Sequence, residues 1–339
     1  MTHKPTPDAA DPDAGDTAAA ENDAAPETVR RTRLVTKTRD TAVARQAILQ
    51  TALVRGLDVT GGNDFTFEET LTGTPLLTLE STSCTGTVRG EIDTSDAIAI
   101  VWLKTGHGVV GGQVLPIGRP VLYEAGRQQV QWDRFQKDLM RIDRNIVEQV
   151  AAERGGWEPG PLEFQPNHVP EGAPLAAWWL MVRMIAAEIL STTGDVPLAR
   201  ERELAATAAA GLLTAIPHWP TGRSSAEEPP TSVGRAETFI LEHIGSRITV
   251  NDVADAAGMS VRGLQSAFQR VHGASPMNYL RGVRLLMARQ QLESGHATAV
   301  SDIARAVGFT HLGRFSGIYR EEFGELPVDT LRAARKHHP

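Results

Sequence analysis

Apolar positions follow two rhythms along the chain. Between residues 34 and 142 they come in short β-type runs cut by glycines and turn residues, at 65–71, 76–81, 97–103, 111–115, 121–123 and 135–142. Many short, closely spaced strands predict an antiparallel sandwich or barrel. After Pro174 the rhythm becomes helical, over 176–191 and again over 198–215, where Leu204, Ala208, Leu212 and Ile216 recur every four residues. That stripe needs a partner, either the β-domain of its own chain or the matching helices of a second copy. Pro217, Pro220, Pro229 and Pro230 stand among polar residues and predict an interdomain linker over 217–232.

An internal repeat dominates the last hundred residues. The stretch Val250-Asn251-Asp252-Val253-Ala254-Asp255-Ala256-Ala257-Gly258-Met259-Ser260 matches Val300-Ser301-Asp302-Ile303-Ala304-Arg305-Ala306-Val307-Gly308-Phe309-Thr310 in pattern at almost every position. Further on, one residue out of step, Leu264, Phe268 and Gly273 correspond to Phe315, Tyr319 and Gly324, and Pro276 and Pro327 close the two units. Each unit reads as helix, tight turn, helix. In the first, Val250, Val253, Ala254 and Ala257 share a face, Thr249 with Asp252 opens the helix, Gly258 stops it and Ser260 caps the next. In the second, Gly308 and Thr310 are expected to do the same, and small Ala254 and Ala304 let the paired helices cross closely. Between the units, Ser275 as cap and Pro276 as first residue open a helix of nineteen residues, roughly 28 Å long. That length approaches the ~34 Å between successive major-groove faces on one side of B-DNA, so one chain is able to grip two adjacent grooves.

The second helix of such a unit enters the major groove, where each base pair displays a distinguishable donor and acceptor pattern. Candidate base readers are Arg262, Gln265, Ser266 and Gln269 in the first unit, and His311, Leu312, Arg314 and Gly317 in the second. Arginine suits guanine edges and glutamine adenine edges, so the first unit and Arg314 are expected to carry most of the discrimination. Arg281, Arg284, Arg289, Arg305 and Arg320 are candidates for phosphate contacts, or else members of solvated helix faces.

Charge at first argues against a nucleic-acid partner, since the net formal charge is -7. The distribution reverses that. Residues 1–28 hold seven acids and one lysine and almost no bulky apolar side chain, predicting a disordered acidic tail. Residues 233–339 hold thirteen Arg/Lys against ten Asp/Glu, a net of +3, with six of the ten histidines besides. The lone Cys84 excludes an internal disulfide framework and a thiolate-rich zinc site. No secretory layout opens the chain, and the most apolar stretch, 175–190, contains Arg183 and Glu188, so the expectation is a cytoplasmic protein with no membrane span.

Over residues 233–335 the sequence resembles the AraC/XylS family of bacterial transcription regulators. The resemblance is carried by Val300 through Ala304, Gly308-Phe309, Phe315-Ser316 and Tyr319 through Gly324, together with Ala274-Ser275-Pro276. It implies a seven-helix domain with two helix-turn-helix units, promoter binding, and activation through contact with RNA polymerase. Two positions depart from the family pattern: Leu326 precedes Pro327 where a small polar cap is usual, and Leu312-Gly313 replaces a polar pair. The β-rich segment is similar to the cupin-like N-terminal domain of such regulators, through Gly106-His107-Gly108 and Pro116 to Pro120. That implies a small-molecule effector in the barrel, with Trp102, His107, Tyr123 and Trp132 as candidate lining residues or, equally, plain core.

The expected architecture is therefore multidomain: a tail over 1–28, a β-rich cupin-like barrel followed by helices over 29–216 as the sensing and candidate dimerisation domain, a linker over 217–232, and an all-α DNA-binding domain over 233–339. A cupin-type enzyme would need clustered His and Glu metal ligands, and His107 stands alone; no Ser/His/Asp set or phosphate-cradling glycine loop is present either. The chain is accordingly read as no enzyme, with neither cofactor nor metal. The alternative is an architectural or partner-binding protein that has lost DNA contact.

Overall fold

Alternating apolar residues in the N-terminal half build one antiparallel sheet with both faces covered. The computed structural model describes residues 27–95, 97–123, 125–222, 232–294 and 299–337. In chain order this half comprises β1 (Thr28–Thr38), α1 (Thr41–Thr51), β2 (Val54–Thr60), β3 (Phe67–Thr74), β4 (Leu77–Asp93), β5 (Ala97–Val110), β6 (Gln113–Val114), β7 (Pro120–Leu122) and β8 (Arg127–Asp143). There follow α2 (Arg144–Gly155), β9 (Leu162–Phe164), α3 (Gly172–Ile189), β10 (Gly194–Pro197), α4 (Leu198–Ala215) and β11 (His218–Pro220). The pairing order is β10-β1-β3-β4-β8-β5-β6, with β2 also on β4 and β7 also on β5. Among the described residues that path has two ends. The β-rich domain is thus present, as an open sheet where a cupin-like barrel was expected.

The long strands β4, β5 and β8 form the middle, and their period of two divides the core. On β5, Ile98, Ile100 and Trp102 enter a core shared with α2, α3 and α4. Ala99, Val101 and Leu103 enter a second core, with Phe67, Trp132, Phe135 and the alanines of α1. A strand buried on both faces loses its polar alternation, which is why 97–103 reads as a continuous apolar run. Helix α1 lies within the stretch expected as strands only. Asp40 starts it, its Oδ1 accepting from the Ala42 N–H at 2.7 Å.

The stripe on α4 packs against its own sheet domain, with Leu204, Ala208, Leu212 and Ile216 all in the first core. Helix α3 is apolar on two sides because it serves two cores. Trp178, Met181, Ile185 and Ile189 face the sheet, whereas Ala173, Ala176 and Ala177 join a core made with the C-terminal helices. By length and composition it passes as a membrane span, but its apolar sides are spent on protein contacts. The first residues of the expected linker, His218–Pro220, form β11 and pair with β9. Most of the rest of that linker, and residues 1–26 of the expected tail, lie outside the described residues.

Among the described residues seven helices follow: α5 (Ser232–Glu242), α6 (Val250–Ala257), α7 (Val261–His272), α8 (Pro276–Glu293), α9 (Val300–Ala306), α10 (Leu312–Phe323) and α11 (Pro327–His337). Tyr279, Leu280, Val283 and Leu286 of α8 pack with α5, α6 and α7. Leu285, Ala288 and Leu292 of the same helix pack with α9, α10 and α11. At eighteen residues, α8 is about 27 Å long and carries one helix pair on each half.

Candidate nucleic-acid interface and the cavity of the sheet domain

Local rules written in the repeat set the first helix pair. The Thr249 hydroxyl accepts from the Asp252 N–H at 3.3 Å while the Asp252 carboxylate accepts from the Thr249 N–H at 2.7 Å, a reciprocal capping box. The bonds that the carboxylate accepts from the Thr249 N–H and hydroxyl hold the Asp252 carboxyl below its usual range. Gly258 takes the left-handed conformation at φ 64° and turns the chain out of α6. The Ser260 hydroxyl then accepts from the Gly263 N–H at 3.2 Å and opens α7. Leu264, Ala267 and Phe268 anchor one side of α7 in the core. Arg262, Gln265, Ser266 and Gln269, spaced three and four residues apart, are all exposed on another. The structure thus places the four candidate readers of the first unit together on an open helix face.

The second pair is built less regularly. Gly308, at φ +87°, ends the turn after α9, and the Phe309 N–H donates to Ala304 O at 2.8 Å. Thr310 does not cap α10: His311 occupies the cap position, and its side chain makes no capping bond. Phe315 and Tyr319 are fully buried as expected, and the Tyr319 hydroxyl bonds Thr330 at 3.0 Å. His311 and Arg314 are exposed, whereas Leu312 is half-buried against the core and serves packing. Gly313 and Gly317 are bordered by open space: a Cβ on either would meet nothing within 4 Å. No internal packing demands glycine there, although each costs helix stability.

Of the phosphate candidates, Arg281, Arg305 and Arg320 are exposed, Arg305 lying 3.5 Å from Asp302. Arg284 is a correction. Its Nε donates to Ile244 O at 2.7 Å and its Nη2 to Ser246 O, closing the turn after α5, and burial lowers its pKa. It also fills the space beside Gly308, where a Cβ would lie 2.7 Å from Nη2. Its guanidinium therefore ties α8 to the turn after α5, beside Gly308. Arg289 is likewise engaged, by Glu293 at 2.7 Å and the Phe323 ring at 4.7 Å.

In the sheet domain, α1 and the inner strand faces line a partly open cavity of about 240 Å³. Tyr123 and Trp132 line it; the other two candidate lining residues do not. Trp102 points to the opposite core, edge-on to Trp178 and Trp179, and donates from Nε1 to Asp138 at 3.1 Å. His107 is exposed on β5. The cavity carries a charged group that the sequence reading missed: Glu69, Glu80, Lys137 and Arg141. Lys137 and Arg141 alternate with Phe135 and Leu139 along β8, so strand periodicity alone placed them on the same inward face. Glu80 accepts from Lys137 at 2.7 Å and from Thr82 at 2.9 Å. Burial opposes its ionisation, but Lys137 and Arg141 outweigh this and bring its pKa down to about 2. Glu69 has no such partner at close range; burial and the nearby Glu80 charge push it up to about 7. Among the described residues no group of three His, Cys, Asp or Glu is placed to hold a metal ion.

Two helix pairs strung on one connecting helix, the first with an exposed polar face on its second helix, form the layout of a DNA-binding domain. A family profile described as "Helix-turn-helix domain" matches residues 253–333. The XylDLEGF operon transcriptional activator of Pseudomonas putida is 40% identical over 107 residues, 31% of this chain and 33% of that protein. The probable thc operon regulatory protein of Rhodococcus erythropolis is 31% identical over 200 residues, 57% of this chain and 60% of that one. Among solved structures, a probable AraC family transcriptional regulator from Rhodopseudomonas palustris is 38% identical, covering 31% of this chain and 97% of that one, with a TM-score of 0.29. Over its C-terminal domain the chain is similar to transcription regulators of the AraC/XylS family. It spans about a third of the length of the first curated relatives it matches.

Proposed function

We propose that this chain binds promoters in the cytoplasm and activates transcription in response to a small molecule, with α7 and α10 each reading one block of a two-part DNA site. The observation that carries the reading is the face of α7: Arg262, Gln265, Ser266 and Gln269 are exposed together while Leu264 and Phe268 fix the helix from behind. A helix so anchored presents guanidinium and amide groups at the reach of base edges. Helix α10 adds Arg314 and His311 and a glycine-lined surface that favours close approach to the backbone of the duplex. Arg281, Arg305 and Arg320 supply phosphate contacts. The cavity under α1 is the effector site in this reading, with Tyr123 and Trp132 in its wall and Lys137, Arg141, Glu80 and Glu69 as its polar groups. Contact with RNA polymerase and pairing of two copies complete the proposal.

The test is a binding titration of the full chain against a random-sequence DNA pool at two salt concentrations. Enrichment of two blocks about one helical turn (~10 bp) apart, weakened by added salt, is the expected outcome. Binding without sequence preference at either salt concentration overturns it.

A further inference from the structure

Three contacts join the helices of the sheet domain to the C-terminal helices, one at each helix pair and one between them. At the first pair, the Glu237 carboxylate of α5 is 1% exposed and lies among groups from both halves of the chain. It accepts from Arg154 of α2 and from His272, the last residue of α7, at 2.7 Å. Arg154 is held in turn by Ala210 O at 2.7 Å and the Thr214 hydroxyl at 3.0 Å, both on α4. Burial and the Arg154 charge push His272 down to about 3, so its ring is neutral and donates to Glu237. At the middle, α3 crosses α8 where Leu180 meets Gly282, so closely that a Cβ on Gly282 would lie 2.8 Å from a Leu180 methyl. At the second pair, Arg183 of α3 holds the end of α10. Its Nη1 lies 3.0 Å from the Glu322 carboxylate, its Nη2 donates to Glu322 O at 3.0 Å, and its guanidinium sits 5.2 Å from the Phe323 ring centre.

These contacts sit at the C-terminal ends of the two helices proposed to read DNA, and on the strut that separates them. Because about 10.5 bp complete one turn of B-DNA, one added base pair between two blocks rotates them by about 34° and moves them ~3.4 Å. A protein distinguishes such spacings only if its two reading helices are held at a fixed distance and rotation. We propose that α2, α3 and α4 fix that geometry, making Arg154 and Arg183 positioning residues that set which spacing between DNA blocks the protein accepts. The inference rests on the two-reader proposal and goes beyond it: specificity for spacing comes from the sheet domain, which touches no base.

Arg183 and Glu322 suit the test because both are partly exposed, at 43% and 35%, and their exchange leaves the cores intact. Full-length wild type, Arg183→Glu, Glu322→Arg and the double exchange are each selected against the same random DNA pool, and the spacing between enriched blocks is read. Wild type is expected to favour one spacing by roughly tenfold over its neighbours, the scale of a single mismatched base pair. Each single variant should enrich the same block sequences with neighbouring spacings nearly equal, and the double exchange should restore the narrow distribution. Single variants that keep the wild-type spacing, or a double exchange as broad as its parents, overturn the proposal while leaving the two-reader function standing. A wild-type site with one block only sinks the two-reader reading itself, and this inference with it.

Discussion

At the scale of single residues, two arginines of the C-terminal domain separate a proposed reader from a scaffolding contact. Arg262 is exposed at the start of α7, whereas Arg284 spends its donors on Ile244 O and Ser246 O. Arg262→Ala is expected to weaken DNA binding by about 1–3 kcal/mol and relax preference at one base pair, without moving the melting temperature. Arg284→Ala should do the reverse. It removes the part-buried bond to Ile244 O and the surface bond to Ser246 O, costing about 1 kcal/mol of folding stability, and the salt dependence of binding should keep its slope because no phosphate contact is lost. Thermal melts and salt titrations of the two variants check both. The sequence put these arginines in adjacent groups of candidates by helical spacing, and for Arg262 that suffices, since exposure on an amphipathic helix follows from neighbours three and four residues away. Arg284 meets groups 38 and 40 residues back, which no local pattern encodes.

Elements differ in how far their own sequence explains them. Helices α6 and α7 are specified locally by a capping box, a left-handed glycine and a serine cap, and each was legible in advance. Helix α10 lacks a side-chain cap and carries glycines at 313 and 317 that nothing inside the protein requires. Gly317→Ala is therefore expected to stabilise the fold by about 0.5–1 kcal/mol while weakening DNA binding, if α10 seats closely against the duplex. A melt combined with a binding isotherm decides it; an alanine variant that binds as well as wild type removes Gly317 from the interface. Helix α1 was missed among strands because it is short and weakly patterned. Helix α3 was seen as helix, but its doubly apolar surface gave no indication that the second side belonged to the DNA-binding domain.

For the whole molecule, three buried groups shape the dependence of stability on pH. His272, with its folded pKa lowered to about 3, and Glu80, lowered to about 2, hold fewer protons folded than unfolded. Stability from both is present at neutral pH and is lost as pH falls, from about 6.5 for the histidine and about 4.5 for the glutamate. Glu69 runs the other way: raised to about 7, it keeps its proton in the fold, so stability declines as pH rises from about 4.5 to 7. Glu69→Gln should leave the melting temperature nearly unchanged at pH 5 and raise it at pH 8. A melting series across that range with equal shifts at both ends would exclude the assignment. By itself the sequence determined the helical C-terminal region, the repeated helix pairs and the exposed polar face of α7, because caps, turns and amphipathic faces depend on residues within a turn or two of each other. Only the tertiary structure decided that Trp102 faces the helices while Tyr123 and Trp132 face the cavity, and that four charged residues meet there. The same holds for Arg154 and Glu237, 83 residues apart, which close the joint between domains. Those pairings depend on how strands register and helices cross, and burial then selects partners that chain distance leaves unspecified.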